Sequence, residues 1–343
     1  TTRQQLQLRH LKIENIPKIF NLLDDVGLTT SQTGMDNVRN ILGCPVSGLS
    51  PKDKVAAYSL VKVLNEHIVG NSEFSNLPRK FNITLSGCPD DCVHAETQDL
   101  ALVPALLEKS GDSVYGFNIL VGGKLGSGGY RMASPLDVFL CPAEVVEVCS
   151  ALILLYRDHG SRDVRSKNRL AFLIEDWGEE KFRLALEERL GKSLTRAGID
   201  LRGNEKSEHI GAYRQKQTSM NYVGLKVPVG RIQAAKLKEL ARLAEKYGNE
   251  EIRFSHSNSL VIPNVSDHKL GDMLEEPVVK EFSYHPSSVL RGLVSCVGSD
   301  YCNLSAIETK SMALKVAAQL EGKLPDTAPI NMHWSGCPAA CGN

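Results

Sequence analysis

Four cysteines near the C-terminal end carry the strongest chemical signal. Cys296 and Cys302 stand in a C-x5-C spacing, and Cys337 and Cys341 in a C-x3-C spacing within Ser335-Gly336-Cys337-Pro338-Ala339-Ala340-Cys341-Gly342. Four thiolates delivered as two pairs from two loops are what an iron–sulfur cube requires. Zinc fits poorly, because structural zinc sites favour C-x2-C or C-x4-C pairs whose sulfurs converge on one ion, whereas a cube spreads its ligands over four irons. Any one of these residues, taken alone, is better read as an ordinary buried thiol.

An internal repeat frames this motif. Asn82-Ile83-Thr84-Leu85-Ser86-Gly87-Cys88-Pro89-Asp90-Asp91-Cys92 matches the stretch from Asn331 to Cys341, both cysteines included, and Arg39 to Cys44 aligns with Arg291 to Cys296. Ser50 takes the place of Cys302, so the first copy keeps three of four ligands and reads as a degenerate copy serving another purpose. Cys44, Cys88 and Cys92 are most simply buried structural thiols. His94 could complete a zinc site or second cluster, but Ser50 and the lack of a clean metal spacing argue against it, and no metal is assigned.

The elements that must position these residues alternate between helical and strand periods. Helices are expected over Pro51–Val69, Pro142–His159, Glu175–Leu190, Gln233–Tyr247 and Ser305–Leu320. Strands are expected over Phe81–Leu85, Leu100–Val103, Val114–Val121, Tyr222–Val227, Glu251–Phe254, Leu260–Ile262 and Pro329–Trp334, with a polar linker from Gly203 to Met220. The fold class is α+β, mixed sheets with helices and a pseudo-twofold repeat. Four segments are expected: 1–29 and 206–280 as half-domains, the latter including the linker, 30–205 as the first α/β domain, and 281–343 as an incomplete second one. The opening without Met and the stop just after Cys341 suggest a fragment cut at both ends, with a lead-in of about 35 residues absent from the first copy.

Composition bounds the function. The 343 residues are 42% hydrophobic with zero net charge, which gives no bulk attraction to nucleic acid or an anionic membrane. No apolar run approaches membrane-span length. Nine cysteines in no small-domain framework suit a reducing compartment and a soluble enzyme.

The cysteine spacing resembles the signature of the assimilatory nitrite and sulfite reductases, which carry sirohaem and a [4Fe–4S] cluster. The resemblance spans essentially the whole chain. It implies that Cys296, Cys302, Cys337 and Cys341 bind the cube and that Cys341 also bridges to the sirohaem iron. The five cations Arg157, Arg162, Arg165, Lys167 and Arg169 alone suggest a solvated helix face. By resemblance, Arg162, Arg165, Lys167 and Arg169 line the rim of sirohaem, whose eight carboxylates guanidinium groups suit. Arg3 is a further candidate clamp. Asn118, Gly122 and Gly123 lie on a strand running into glycines that the resemblance assigns to sirohaem packing; no dinucleotide or phosphate-loop fingerprint is present there.

The same resemblance gives Arg39 and Lys80 as the residues that bind and protonate substrate, with Asn82 as discriminator. Sulfite reductases of the family resemble the pattern with a lysine at that position, whereas an amide suits mononegative nitrite. The implied activity is six-electron reduction of nitrite to ammonia in nitrate assimilation, with reduced ferredoxin as donor, in a monomer of the bacterial cytoplasm or plastid stroma. Sulfite reduction is the alternative within the family, and a structural iron–sulfur or zinc protein the alternative outside it.

Overall fold

The computed structural model describes every residue except 110, 127, 205, 325–328 and 343. In chain order the elements are α1 (Ile16–Asp24), β1 (Val38–Gly43), α2 (Ala57–Ile68), β2 (Phe81–Leu85), β3 (Leu100–Lys109), β4 (Asp112–Val121), β5 (Ser134–Leu140), α3 (Val145–His159), α4 (Leu170–Leu190) and β6 (Ile199–Asp200). There follow β7 (Gly211–Arg214), β8 (Met220–Lys226), α5 (Ala234–Tyr247), β9 (Arg253–Phe254), β10 (Ser259–Ser266), α6 (Asp267–Glu275), α7 (Pro277–Glu281), α8 (Ser288–Arg291), β11 (Leu293–Ser295), α9 (Lys310–Leu320) and β12 (Met332–Trp334).

The first sheet runs β1-β2-β3-β4-β5, with β6 also paired to β3. β1, β2 and β3 are mutually parallel, and β4 and β5 continue antiparallel. Strand alternation sorts its residues. Phe81, Ile83 and Leu85 join Leu64, Leu152, Tyr156, Leu170 and Phe182 of α2, α3 and α4 in the main core, so Asn82 and Thr84 face the opposite side. A second sheet, β7-β8-β10-β9, is wholly antiparallel and packs on α5, α6 and α7. β11 and β12 form a parallel pair beside α9.

The repeat is visible at the level of register. In the first copy Ile41, Leu42 and Gly43 pair with Ile83, Thr84 and Leu85. In the second, Leu293, Val294 and Ser295 pair with Met332, His333 and Trp334. These are the positions that the sequence alignment equates, one for one. A glycine follows each pair at an equivalent place. A Cβ on Gly87 would overlap the Val55 carbonyl, and one on Gly336 would overlap Ser305, so both motifs need glycine because the loop after the first cysteine folds back onto them.

The mixed α+β architecture agrees with the expected class, and several bounds differ from expectation for identifiable reasons. β3 continues through Pro104 to Lys109: β2 stops pairing at Leu102 and β6 starts at Ala105, so the missing proline N–H falls in the gap between two partners. The helix expected from Pro51 begins at Ala57, because Lys54 and Val55 donate to the Gly87 carbonyl. The helix expected from Ser305 begins at Lys310, where the Glu308 carboxylate accepts from the N–H groups of Lys310, Ser311 and Met312. The helix expected from Glu175 starts at Leu170, with Gly178 at φ 76° breaking it. The expected linker over 203–220 contains β7. Strands β1 and β5 and helix α1 had no assignment from sequence.

Gly87→Ala should destabilise the protein by about 2–4 kcal/mol, because the methyl meets backbone that cannot swing aside. Gly191, at φ 66° but facing open space, should lose only about 1 kcal/mol on the same change. Equal denaturant midpoints for the two variants would contradict the packing argument.

Candidate functional site

The β11–β12 register sets the two cysteine loops side by side. Cys296 N donates to the Trp334 carbonyl at 2.9 Å, and Gly336 N donates to Cys296 Sγ at 3.4 Å. The intervening loop folds back through Cys302 N to Gly298 O at 3.0 Å and Ala306 N to Gly336 O at 2.8 Å. Cys296, Cys302 and Cys337 are half-buried and Cys341 is exposed. Among the described residues, one set of Cys, His and carboxylate atoms lies mutually within 4.8 Å, as a single ion demands, and it is not drawn from these four. Thiolates on adjacent loops, spread wider than one ion allows and met by a backbone N–H, fit a cube's ligand set.

The N-terminal segment closes over this centre. Thr2 Oγ1 donates to the Cys341 carbonyl at 2.9 Å. Gln4 exchanges hydrogen bonds with both backbone groups of Gly43 and donates to Phe254 O at 3.1 Å, while Gln5 Nε2 donates to Arg39 O at 3.3 Å. Arg3 is thereby held between β1 and the last cysteine. Burial, then the neighbouring charge of Arg169, lowers the Arg3 pKa. Lys80 is pushed down to about 8, first by burial, then by Arg169, with Asp99 opposing and Arg39 and Arg3 adding to the shift. Desolvation raises the Cys341 thiol, and Lys80 and Arg3 pull it back. Arg3, Arg39, Lys80, Arg169 and Cys341 thus share one electrostatic neighbourhood.

Asp99 anchors that neighbourhood. Its carboxylate takes a two-pronged bond from Arg169, Nε at 2.8 Å and Nη2 at 2.7 Å, with side-chain exposures of 0% and 5%. Asp99 Oδ2 also accepts from Asn82 N at 2.9 Å. Arg169 and the strand bearing Asn82 are therefore locked to one buried carboxylate, a role that no sequence motif flagged.

The other expected residues divide. Arg165 pairs with Asp36 at 2.8 and 3.2 Å, and Asp36 also holds Arg79. Arg162 donates to Asn76, and Lys167 is exposed. The Asn118 amide donates to Gly198 O at 2.8 Å and accepts from Gly198 N at 2.9 Å, which fastens the chain before β6. Gly122 and Gly123 are also accounted for internally, since Cβ atoms there would strike Arg131 and the 96–98 backbone. The glycines that approach the site come just after them. Gly126 lies against the Ala339 backbone of the last cysteine loop and Gly128 against the Ser166 carbonyl, so this turn packs between the cysteine centre and the basic run.

In the first copy, Cys44, Cys88 and Cys92 are buried with Val46, Leu49, Tyr222 and Val261. His94 does not join them; it neighbours Lys206 and stacks edge-on with His256. The histidine present is His209, with Nε2 3.4 Å from Cys44 Sγ. A hydrogen bond with Cys92 holds the Cys44 thiol well below its usual range. His209 lay in the expected linker, which is why sequence spacing missed it.

In protein free of added cofactor, Lys80 should react with an amine-acylating reagent with a midpoint near pH 8, against about 10.4 for an ordinary lysine. The neutral amine is the reactive form, so labelling rises as pH climbs through that value. Competitive labelling read by mass spectrometry checks it, and an ordinary midpoint would remove the cationic crowding. By linkage, the depressed pKa costs stability below pH 8, and that cost fades as pH rises from 8 towards the unfolded value.

Residues 34–194 match the family described as nitrite and sulphite reductase 4Fe-4S domain, and residues 213–278 match the nitrite/sulfite reductase ferredoxin-like half domain. A ferredoxin–nitrite reductase of Synechococcus elongatus is 44% identical over the whole chain, which spans 67% of that relative's length. A chloroplastic ferredoxin–nitrite reductase of Zea mays is 42% identical, with 61% of its length spanned. The Mycobacterium tuberculosis NirA protein superposes with a TM-score of 0.93 at 32% identity, over all of this chain and 62% of that one. With paired cysteine loops, a repeated strand register and likeness along its full length, the chain belongs to the nitrite and sulfite reductase family.

Proposed function

We propose that this chain forms the sirohaem- and [4Fe–4S]-binding part of a ferredoxin-dependent nitrite reductase. The observation that carries this reading is the placing of Arg3 and Lys80 against Cys341, with Arg39 and Arg169 crowding Lys80 from behind. Four cations beside a thiolate loop, balanced internally by Asp99, leave excess positive charge suited to an anionic group. Cys296, Cys302, Cys337 and Cys341 would hold the cluster, and Arg3, Arg162, Arg165, Lys167 and Arg169 the carboxylates of sirohaem. When bound, these groups would relay the donor's electrons and supply the iron at which nitrite is reduced to ammonia.

The chain's own residues supply the rest. Arg39 and Lys80 attract the anion and orient its oxygens, and a lysine with a pKa near 8 can hold a proton at neutral pH and still give it up. Asn82, 6% exposed on the strand beside Lys80, adds hydrogen-bonding capacity without charge, which favours mononegative nitrite over a more negative oxyanion. Sulfite reduction is the second reading, and Asn82 is the feature against it. The printed names of the cyanobacterial and plant relatives support ferredoxin as donor, and by extension a bacterial cytoplasm or plastid stroma as the place of work. The expected bounds 30–205 and 206–280 enclose the two matched spans, and we retain them as proposed domains.

In full-length enzyme, Cys341→Ser should abolish the visible sirohaem bands and the cluster's reduced-state resonance signal, whereas Cys88→Ser should retain both. Equal loss in the two variants would sink the assignment of the second copy as the cluster site. Asn82→Lys should shift the ratio of kcat/KM for sulfite over nitrite upward by about fivefold, since a quarter of the roughly 4 kcal/mol between unit charges 4 Å apart is worth that factor. An unchanged ratio in cofactor-replete enzyme would leave the preference for nitrite without its main residue.

A further inference from the structure

The first copy has kept the cysteines of the repeat but arranged them for a single ion. Cys44 Sγ, Cys92 Sγ and a ring nitrogen of His209 all lie within 4.8 Å of one another, and all three residues are buried. The histidine is oriented: its Nδ1 stands 3.4 Å from Ser207 Oγ, which also accepts from His209 N at 3.3 Å, and this leaves Nε2 facing Cys44. Ligating imidazoles are set in this way, with the second nitrogen tied to a neighbouring oxygen. Asp53, on the turn between Cys44 and α2, buries Oδ1 without a hydrogen-bond partner and has Cys44 and His209 among its electrostatic neighbours. A buried carboxylate oxygen without a hydrogen-bond partner near a thiol and an imidazole adds an unsatisfied acceptor to this cluster of donors.

We propose that Cys44, Cys92 and His209 form a Zn2+ site distinct from the four-cysteine centre, fastening the β1–α2 and β2–β3 turns to the segment before β7. Two sulfurs and one imidazole nitrogen are a soft donor set that zinc accepts in tetrahedral geometry. Binding exchanges two protons of the Cys44–Cys92–His209 set for one Zn2+, so the net charge of the three ligands is unchanged and no electron moves. That balance matters because Val46, Leu49, Val93, Tyr222 and Val261 wall the site, and an uncompensated charge there is costly. The fourth position goes to water, since a third thiolate would leave the site negative. The first copy on this account is a site converted from four irons to one ion, with His209 recruited from outside the repeat.

The test uses purified holoenzyme from zinc-supplemented growth, desalted and analysed for both metals by mass spectrometry. About one zinc per chain is expected beside the iron, and X-ray absorption at the zinc edge should show two sulfurs with at least one nitrogen. His209→Gln and Cys92→Ser should each lower zinc occupancy at buffered free Zn2+ by roughly tenfold or more, with iron per chain unchanged. If those variants do not fold, the zinc-edge spectrum of the wild type decides alone. Negligible zinc in the wild type, a shell without sulfur, zinc retained by both folded variants, or a Cys44–Cys92 disulfide in the purified protein would each overturn the proposal.

Discussion

The site depends on one buried ion pair. Asp99 and Arg169 are held by two hydrogen bonds where neither side chain meets solvent appreciably, and the same carboxylate takes the backbone N–H of Asn82. Without Asp99, Arg169 would be a buried guanidinium facing Lys80 and Arg3, a repulsion that low-dielectric surroundings magnify. With it, the protein can gather cations at one end of the β1–β2–β3 edge and still fold. The compensation is deliberately partial in its effect: one carboxylate neutralises one guanidinium, and Lys80 remains depressed to about 8. The residual positive field is available to whatever anion enters.

A second constraint is the shared register of the two parallel strand pairs. Because β1–β2 and β11–β12 present equivalent residues at equivalent places, the loops that follow have the same trajectory, and their chemistry is set by what covers them. Tyr222 of β8 and Val261 of β10 cover the first copy's cysteines in an apolar shell. The second copy's cysteines remain half-buried or exposed, reached by the N-terminal segment and by Gly126. One backbone arrangement thereby carries two different thiol environments.

Legibility in the sequence followed the physics of each element. The repeat was readable because its spacing is carried by cysteines and glycines, whose roles are positional, and the register agrees with it residue for residue. Helices α3 and α5 showed clear periodicity and ended at glycines as expected. Strand β3 was cut short because Pro104 is an ordinary stop signal, and only the pairing of β3 with two different partners along one edge removes that cost. Asp99 and His209 were invisible for a different reason. A single acidic residue at a strand start and a histidine in a polar stretch have no periodic or spacing signature; their roles exist only through partners 70 and 165 residues distant in the chain.

Asn118 and the Gly122–Gly123 pair show how a motif can be legible while its neighbours are not. A strand running into glycines predicts close approach of something, and the prediction of close approach was sound. What approaches at Gly123 is the protein's own 96–98 backbone, while the two glycines that meet the site's loops, Gly126 and Gly128, lie a few residues later. Sequence identifies that a backbone must pass near another surface; it does not say which surface. At Gly126 the neighbour is Ala339, between Cys337 and Cys341, so a side chain there would displace the cysteine loop itself. At Gly128 the neighbour is the Ser166 carbonyl, so a side chain at either glycine would push apart the cysteine loop or the basic run that the turn packs against.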